Sequence, residues 1–263
     1  MSRVEVLVAC MNQTDDRLYE EMNLQTSAIL ANQGDSYFCT ERCTDAGNTV
    51  RLFSTKDRGV GRNRNKALIY ATGEYLLFAD QDMIYEPGYE KMVLDAFQKQ
   101  PDADMIALNL RYRNRFTKGR APGKRFKRLH WWNSMRYGAA RIAIRRSAIE
   151  KHCLSFSVLY GGGAEFSSGE DSLFIREALR KGLKLYYSPQ ILAEVKQEES
   201  SWFRGYTDKF FRDRGVLIAN AFPRLKHLLV FHFAWRWRSL SEAHSFFRIV
   251  RLMREGFSVY KRL

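Results

Sequence analysis

Long apolar runs are missing from this chain: no stretch approaches the ~18 consecutive apolar residues of a membrane-spanning helix, which excludes a polytopic membrane protein. Internal repeats and low-complexity tracts are absent too, so neither a solenoid nor a disordered linker fits. Cysteines are few. Cys39-x-x-x-Cys43 has no second ligand pair at zinc-site spacing, and with Cys10 and Cys153 it reads as ordinary reduced thiols. The opening Met1-Ser-Arg-Val-Glu-Val-Leu-Val-Ala has the pattern of a strand and lacks that of a signal peptide, so a cytoplasmic protein is expected.

Acidic residues are scarce in two places. Arg111 to Arg128 holds nine basic residues and no acid, and Arg224 to Leu263 holds nine basic residues against Glu242 and Glu255. These segments account for the whole formal charge of +14 and leave the remainder slightly acidic. They call for an acidic partner such as phospholipid, nucleic acid or a diphosphate substrate. A hydrophobic content of 45% and an aromatic content of 14% exclude disorder, and 263 residues suffice for one large α/β domain with an appendage.

Alternating apolar runs and helical patterns predict that domain. Strands are expected at 4–10, 27–31, 49–53, 75–79, 105–110 and 140–144, with helices over 66–71, 89–98 and 172–181 and one beginning near Ser147. The stretch Tyr75-Leu-Leu-Phe-Ala-Asp80-Gln-Asp82 organises the rest. A strand buried on both faces ends in two carboxylates, at the sheet edge where ligands of open α/β sheets bind. Such a pair offers hard oxygen ligands to Mg²⁺ or Mn²⁺, or is a surface turn. Asp57-Arg58-Gly-Val-Gly61-Arg-Asn-Arg64-Asn65 predicts a glycine-containing loop that opens a helix and holds a diphosphate, or a solvated basic cap; its spacing is neither Gly-x-Gly-x-x-Gly nor a Walker loop. Glu170 and Asp171 follow a glycine-bracketed loop containing Gly162 and Gly163 and start a helix, where the dipole favours acids even without chemistry.

In combination, Gly59-Val-Gly-Arg-Asn-Arg64-Asn65-Lys-Ala-Leu68, Ala71-Thr-Gly73-Glu-Tyr-Leu-Leu-Phe-Ala-Asp80-Gln-Asp82 and Gly169-Glu170-Asp171 resemble the family-2 glycosyltransferases of the GT-A fold, such as those that build bacterial capsular or lipid-linked glycans. The resemblance covers about residues 3–215. It implies a mostly parallel twisted sheet flanked by helices, and an inverting transfer of sugar from a nucleotide-diphosphate donor, expected to be UDP-linked, to a glycan or lipid-linked acceptor. Asp82 is implied as ligand to Mg²⁺ or Mn²⁺, with Asp80 on the metal or the donor ribose. Asp171, beside Glu170, is implied as the general base. Asn12, Asn32, Asp35, Arg58, Gly61 and Arg64 are implied on the donor side. Two positions depart from the family's habit. An acidic pair usually follows the second strand, where this chain has Asn32-Gln33-Gly34-Asp35, and a histidine usually lies downstream of the acidic pair, where this chain offers Lys196 as a phosphate contact. Gly162 and Gly163 are further acceptor or phosphate positions.

The domain is expected over 1–221, with a basic, aromatic, helical extension over 222–263. In that extension Leu240, Ala243, Phe246, Phe247, Val250 and Met253 follow helical spacing among arginines, which fits a helix in a membrane interface or one packed on protein. The implied location is the inner face of the plasma membrane, without a nucleic-acid partner. Two alternatives stay open: a nucleic-acid-binding protein using 111–128 and 224–263, and a GT-A-like nucleotidyltransferase that gives Asp171 no role.

Overall fold

A computed structural model describes residues 3–112, 125–134, 136–196, 205–240 and 244–262. Most of the basic stretch 111–128 therefore lies outside the described residues. The chain divides into two compact units, Met1–Val158 with Glu170–Glu199, and Leu159–Gly169 with Ser200–Leu263. The sequence boundary at 221 falls inside the second unit, between two of its helices.

The first unit is built on a ten-stranded sheet among the described residues. Its strands are β1 (Val4–Met11), β2 (Ser27–Gln33), β3 (Phe38–Cys43), β4 (Thr49–Thr55), β5 (Tyr75–Asp80), β6 (Met83–Tyr85), β7 (Met105–Tyr112), β8 (Lys127–Leu129), β9 (Ile142–Arg145) and β10 (Leu185–Val195). They run in the order β3-β4-β2-β1-β5-β9-β7-β10-β6, with β8 on β10. The long interior pairings, β1 with β2 and β5, β2 with β4 and β7 with β10, are parallel. The edge strand β3 is antiparallel, and β9 is an antiparallel wedge between β5 and β7. This is the α/β class the sequence implies.

Alternation along the strands distributes side chains to two cores. Val6, Val8, Leu30 and Leu77 face the side covered by α3 (Tyr89–Lys99), with α1 (Leu18–Glu21) adding Leu18 and Tyr19. Leu7, Ile29, Leu76 and Phe78 face the side of α2 (Val60–Tyr70), α4 (Arg146–His152) and α5 (Glu170–Arg180). Burial on both faces explains why these strands read as unbroken apolar runs. Four strands were not expected: the short β6 and β8, and β3 and β10. β3 is an exposed edge whose Cys39 and Cys43 are free thiols. β10 contains Pro189, which reads as a breaker; the register against β7 shifts there, and Asn109 Nδ2 donates to the Pro189 carbonyl at 3.0 Å.

The second unit joins α6 (Asp208–Ala221), α7 (Lys226–Trp237) and α8 (Phe246–Tyr260) with 159–169. Thr207 and Ser245 cap α6 and α8 by accepting the amides of Phe210 and Arg248. α6 begins at Asp208, and residues 197–204 are outside the described residues. Ile249, Val250, Leu252 and Met253 of α8 are buried in a cluster with Phe211 and Ile218 of α6. Of the stripe expected to lie in a membrane interface or to pack on protein, Val250 and Met253 are buried and Phe246 is partly buried in this cluster, while Leu240 and Phe247 are exposed.

Candidate active site

β1 and β5 are neighbours from which the chain departs in opposite directions: β2 and β4 lie beyond β1, β9 and β7 beyond β5. That makes the gap outside their carboxyl ends a topological switch point, the place where open α/β sheets bind ligands. Asn12 follows β1 there with a left-handed φ of 59°, a conformation that asparagine tolerates better than most residues. Asp80 ends β5 and pairs in register with Ala9, while Asp82 sits in the turn to β6.

One guanidinium gathers the acids. Arg64, in the second turn of α2, is 3% exposed. Its Nη2 donates to Asp80 Oδ1 at 2.8 Å, and its Nη1 to Asp171 Oδ1 at 2.5 Å and Glu170 Oε1 at 3.2 Å. Burial alone opposes this charge, but Asp171, Asp80 and Glu170 outweigh it and hold the guanidinium above its ordinary pKa. The Phe156 ring lies 5.3 Å from the guanidinium carbon. Three motifs far apart in sequence thus meet on one side chain.

The loop expected over 57–65 is confined to 57–59, and the helix it opens begins earlier than expected. α2 starts at Val60, so Gly61, Asn63, Arg64 and Asn65 are helical, and each of these four has a local packing role. A Cβ on Gly61 would stand 2.2 Å from the Ser157 carbonyl oxygen. Asn65 exchanges two hydrogen bonds with the backbone of Phe156, at 2.8 and 2.7 Å. Asn63 donates to the carbonyls of Cys10 and Ala31 at the ends of β1 and β2, and the Gly59 amide donates to Gln33 Oε1 at 2.8 Å. The asparagines and glycines here seat the helix on the sheet.

Asn32 is fully buried, its amide bonded to Gln13 and Ser54, so it supports the Asn12–Gln13 turn and offers no free edge to a base. Asp35 and Arg58 are exposed and pair at 2.8 Å. The Lys196 amide donates to the Asp82 carbonyl at 2.8 Å, which brings the exposed Lys196 beside the acidic turn. Gly162 and Gly163 belong to the second unit. Sequence reasoning missed Gln13, Gln33, Asn63 and Gln81, whose side chains brace the strand ends; Gln81 accepts the Met11 amide at 2.8 Å. Isolated amide side chains carry no pattern that would have singled them out.

Burial, aided by the charge of Asp80, raises the Asp82 pKa above the usual carboxylate value. Among the described residues no basic side chain lies within ion-pair distance of it, and no group of three His, Cys, Asp or Glu stands ready for a metal. Two hard carboxylates with an uncompensated charge suit a divalent cation that shares its remaining positions with phosphate and water.

Residues 29–158 match glycosyl transferase family 2. These residues belong to that family, and the chain that carries them is a glycosyltransferase. The family-2 match contains the Arg64 helix and the Asp80-Gln-Asp82 strand and stops before Glu170 and Asp171. Among solved structures, S. aureus TarS 1-349 in complex with UDP-GlcNAc is similar at 17% identity and a TM-score of 0.63, over 92% of this chain and 74% of that one. The same fragment in complex with UDP gives 16% and 0.61 over 92% and 73%, and longer TarS gives 16% and 0.59 over 91% and 44%. At these identities the likeness shows the fold, GT-A. No curated protein sequence matches the chain.

Proposed function

We propose that this family-2 glycosyltransferase moves a sugar from a UDP-linked donor to a hydroxyl of a glycan or lipid-linked acceptor, with inversion and with help from Mg²⁺ or Mn²⁺. The observation that carries the reading is the convergence of Asp80, Glu170 and Asp171 on Arg64 at the switch point. It gives the donor-side and acceptor-side acids a fixed frame. The UDP assignment draws on the fold shared with TarS, solved with UDP-GlcNAc and with UDP.

Asp82 and the free oxygen of Asp80 would hold the cation, which when bound neutralises the charge that builds on the departing diphosphate. The exposed Lys196, beside Asp82, adds a positive charge for the same phosphates. Asp171 remains 25% exposed at its side chain. It takes the proton from the acceptor hydroxyl as that oxygen bonds to the anomeric carbon and the bond to the diphosphate oxygen breaks, so configuration inverts in one displacement. Arg64 orients Asp171, and Asn32 acts on the donor side only through the Asn12–Gln13 turn that it braces.

The test is a panel of UDP-sugars incubated with Mn²⁺ or with chelator, read as UDP release. Metal-dependent release from one donor is expected; release of pyrophosphate from a nucleoside triphosphate would instead assign a nucleotidyltransferase. No described helix is long and apolar enough to cross a membrane, so a lipid-linked acceptor would be met at a surface.

A further inference from the structure

Helix α7 is apolar on two faces. One, with Val230 and Ala234 buried and Phe233 and Trp237 half-buried, belongs to the core of the second unit. The other carries Leu228, Phe231 and Trp235 along a single helical stripe, at 69%, 50% and 61% exposure. Single exposed apolar residues are ordinary; a helix that presents three large ones in line on its outer face is an interaction surface.

What borders the stripe identifies the partner. Residues 222–240 contain Arg224, Lys226, Arg236 and Arg238 and no acidic residue. The Arg238 guanidinium carbon lies 3.2 Å from the centre of the Trp235 ring, so charge and aromatic ring occupy one spot. We propose that this outward stripe of α7 docks on an anionic lipid surface, with Phe231 and Trp235 entering the interface and the basic residues meeting headgroup phosphates. The helix has 12 residues, far short of the ~20 that span a bilayer, so it lies in the plane of the surface.

Two other occupants fit less well. A second copy of this chain would meet the stripe across a two-fold axis, setting four positive charges against the same four. A nucleic acid would satisfy the charges but press phosphate against Leu228 and Phe231. The lipid surface alone takes both parts of the pattern. The proposal places the membrane contact on α7, since Val250 and Met253 of the α8 stripe are buried in the protein. It stands apart from the sugar-transfer reading, because binding is read with neither donor nor acceptor present.

The experiment is flotation of the full chain with vesicles of phosphatidylcholine and phosphatidylglycerol at 3:1, and of phosphatidylcholine alone. Binding to the anionic vesicles is expected to exceed binding to the neutral ones by at least about tenfold, and the exposed pair Phe231→Ser/Trp235→Ser to lose at least about tenfold. Arg236→Gln/Arg238→Gln should weaken it about fivefold per charge removed. The thermal denaturation midpoint without vesicles should stay unchanged in every variant, which separates loss of docking from loss of fold. Three results would overturn the proposal: equal flotation of the wild type and the serine pair, self-association that the serine pair abolishes, or a single-stranded RNA gel shift at physiological salt that it abolishes.

Discussion

Arg64, on α2, and Arg238, at the C-terminal cap of α7, both stand among basic residues, and the protein treats them in opposite ways. Arg64 is buried under three carboxylates drawn from two distant segments. Arg238 is exposed over Trp235, in a segment without an acid. A buried guanidinium demands compensation, so its presence in the first unit forces Asp80, Glu170 and Asp171 into one arrangement. An exposed one makes no such demand, and its field is left for a partner. The same residue type is thus a constraint on geometry in one unit and an advertisement in the other.

The largest expected effect breaks the acid side of this contrast. Asp171→Asn keeps the shape of the side chain but removes the proton acceptor, so transfer should fall by about 10²–10⁴ while UDP-sugar binding, followed by calorimetry, remains. Turnover near the wild-type rate would remove Asp171 from the role of base.

Arg64→Met tests the compensation itself. It leaves three carboxylates facing one another without their cation, a loss of about 3–5 kcal/mol of stability, seen as a lowered denaturation midpoint. Arg64→Lys keeps the charge but loses the fork that reaches both sides, and should fall between. A methionine variant as stable as the wild type would mean that the ion pairs do not hold the site together.

Gly256→Ala probes the second unit in the same manner. There α6 and α8 touch backbone to backbone, and a Cβ on Gly256 would stand 2.3 Å from the Arg212 carbonyl oxygen. Forcing the helices apart should cost about 1–3 kcal/mol, with metal-dependent donor binding retained by Asp80 and Asp82. Concerted loss of both would show that the contrast between the units is not one of independent stability.

These contrasts also mark what the sequence could disclose. The strand Tyr75–Asp80 and its acids were legible because burial on both faces leaves an unbroken apolar run and the acids break it abruptly. Their convergence on Arg64 was not, since Glu170 and Asp171 lie about a hundred residues away and no local pattern records which arginine of three is turned inward. Within the stretch 57–65 the helix begins earlier than its glycines suggest, for Gly61 serves close approach to Ser157 within the helix. Periodicity found the apolar stripe of α8 but not its partner: Val250 and Met253 are covered by α6. α7 was harder still, for a helix apolar on both faces has no clean periodicity to detect.

The smallest effect sharpens the acidic pair. Burial and the neighbouring Asp80 hold the Asp82 pKa above that of an unfolded chain, so the folded state binds this proton more tightly. Its stabilising contribution is complete below the unfolded value of about 3.9 and is lost as pH rises through the raised folded value. At neutral pH the ionised Asp82 is then a liability when no cation is bound. Asp82→Asn should match the wild type in denaturation midpoint near pH 4 and exceed it by a margin that grows towards pH 7. Mn²⁺ should close that margin by raising the midpoint of the wild type alone, since a cation that binds only the folded acids stabilises only the chain that has them. A margin indifferent to pH would mean that the asparagine acts by packing, and an equal response of both proteins to Mn²⁺ would place the cation elsewhere.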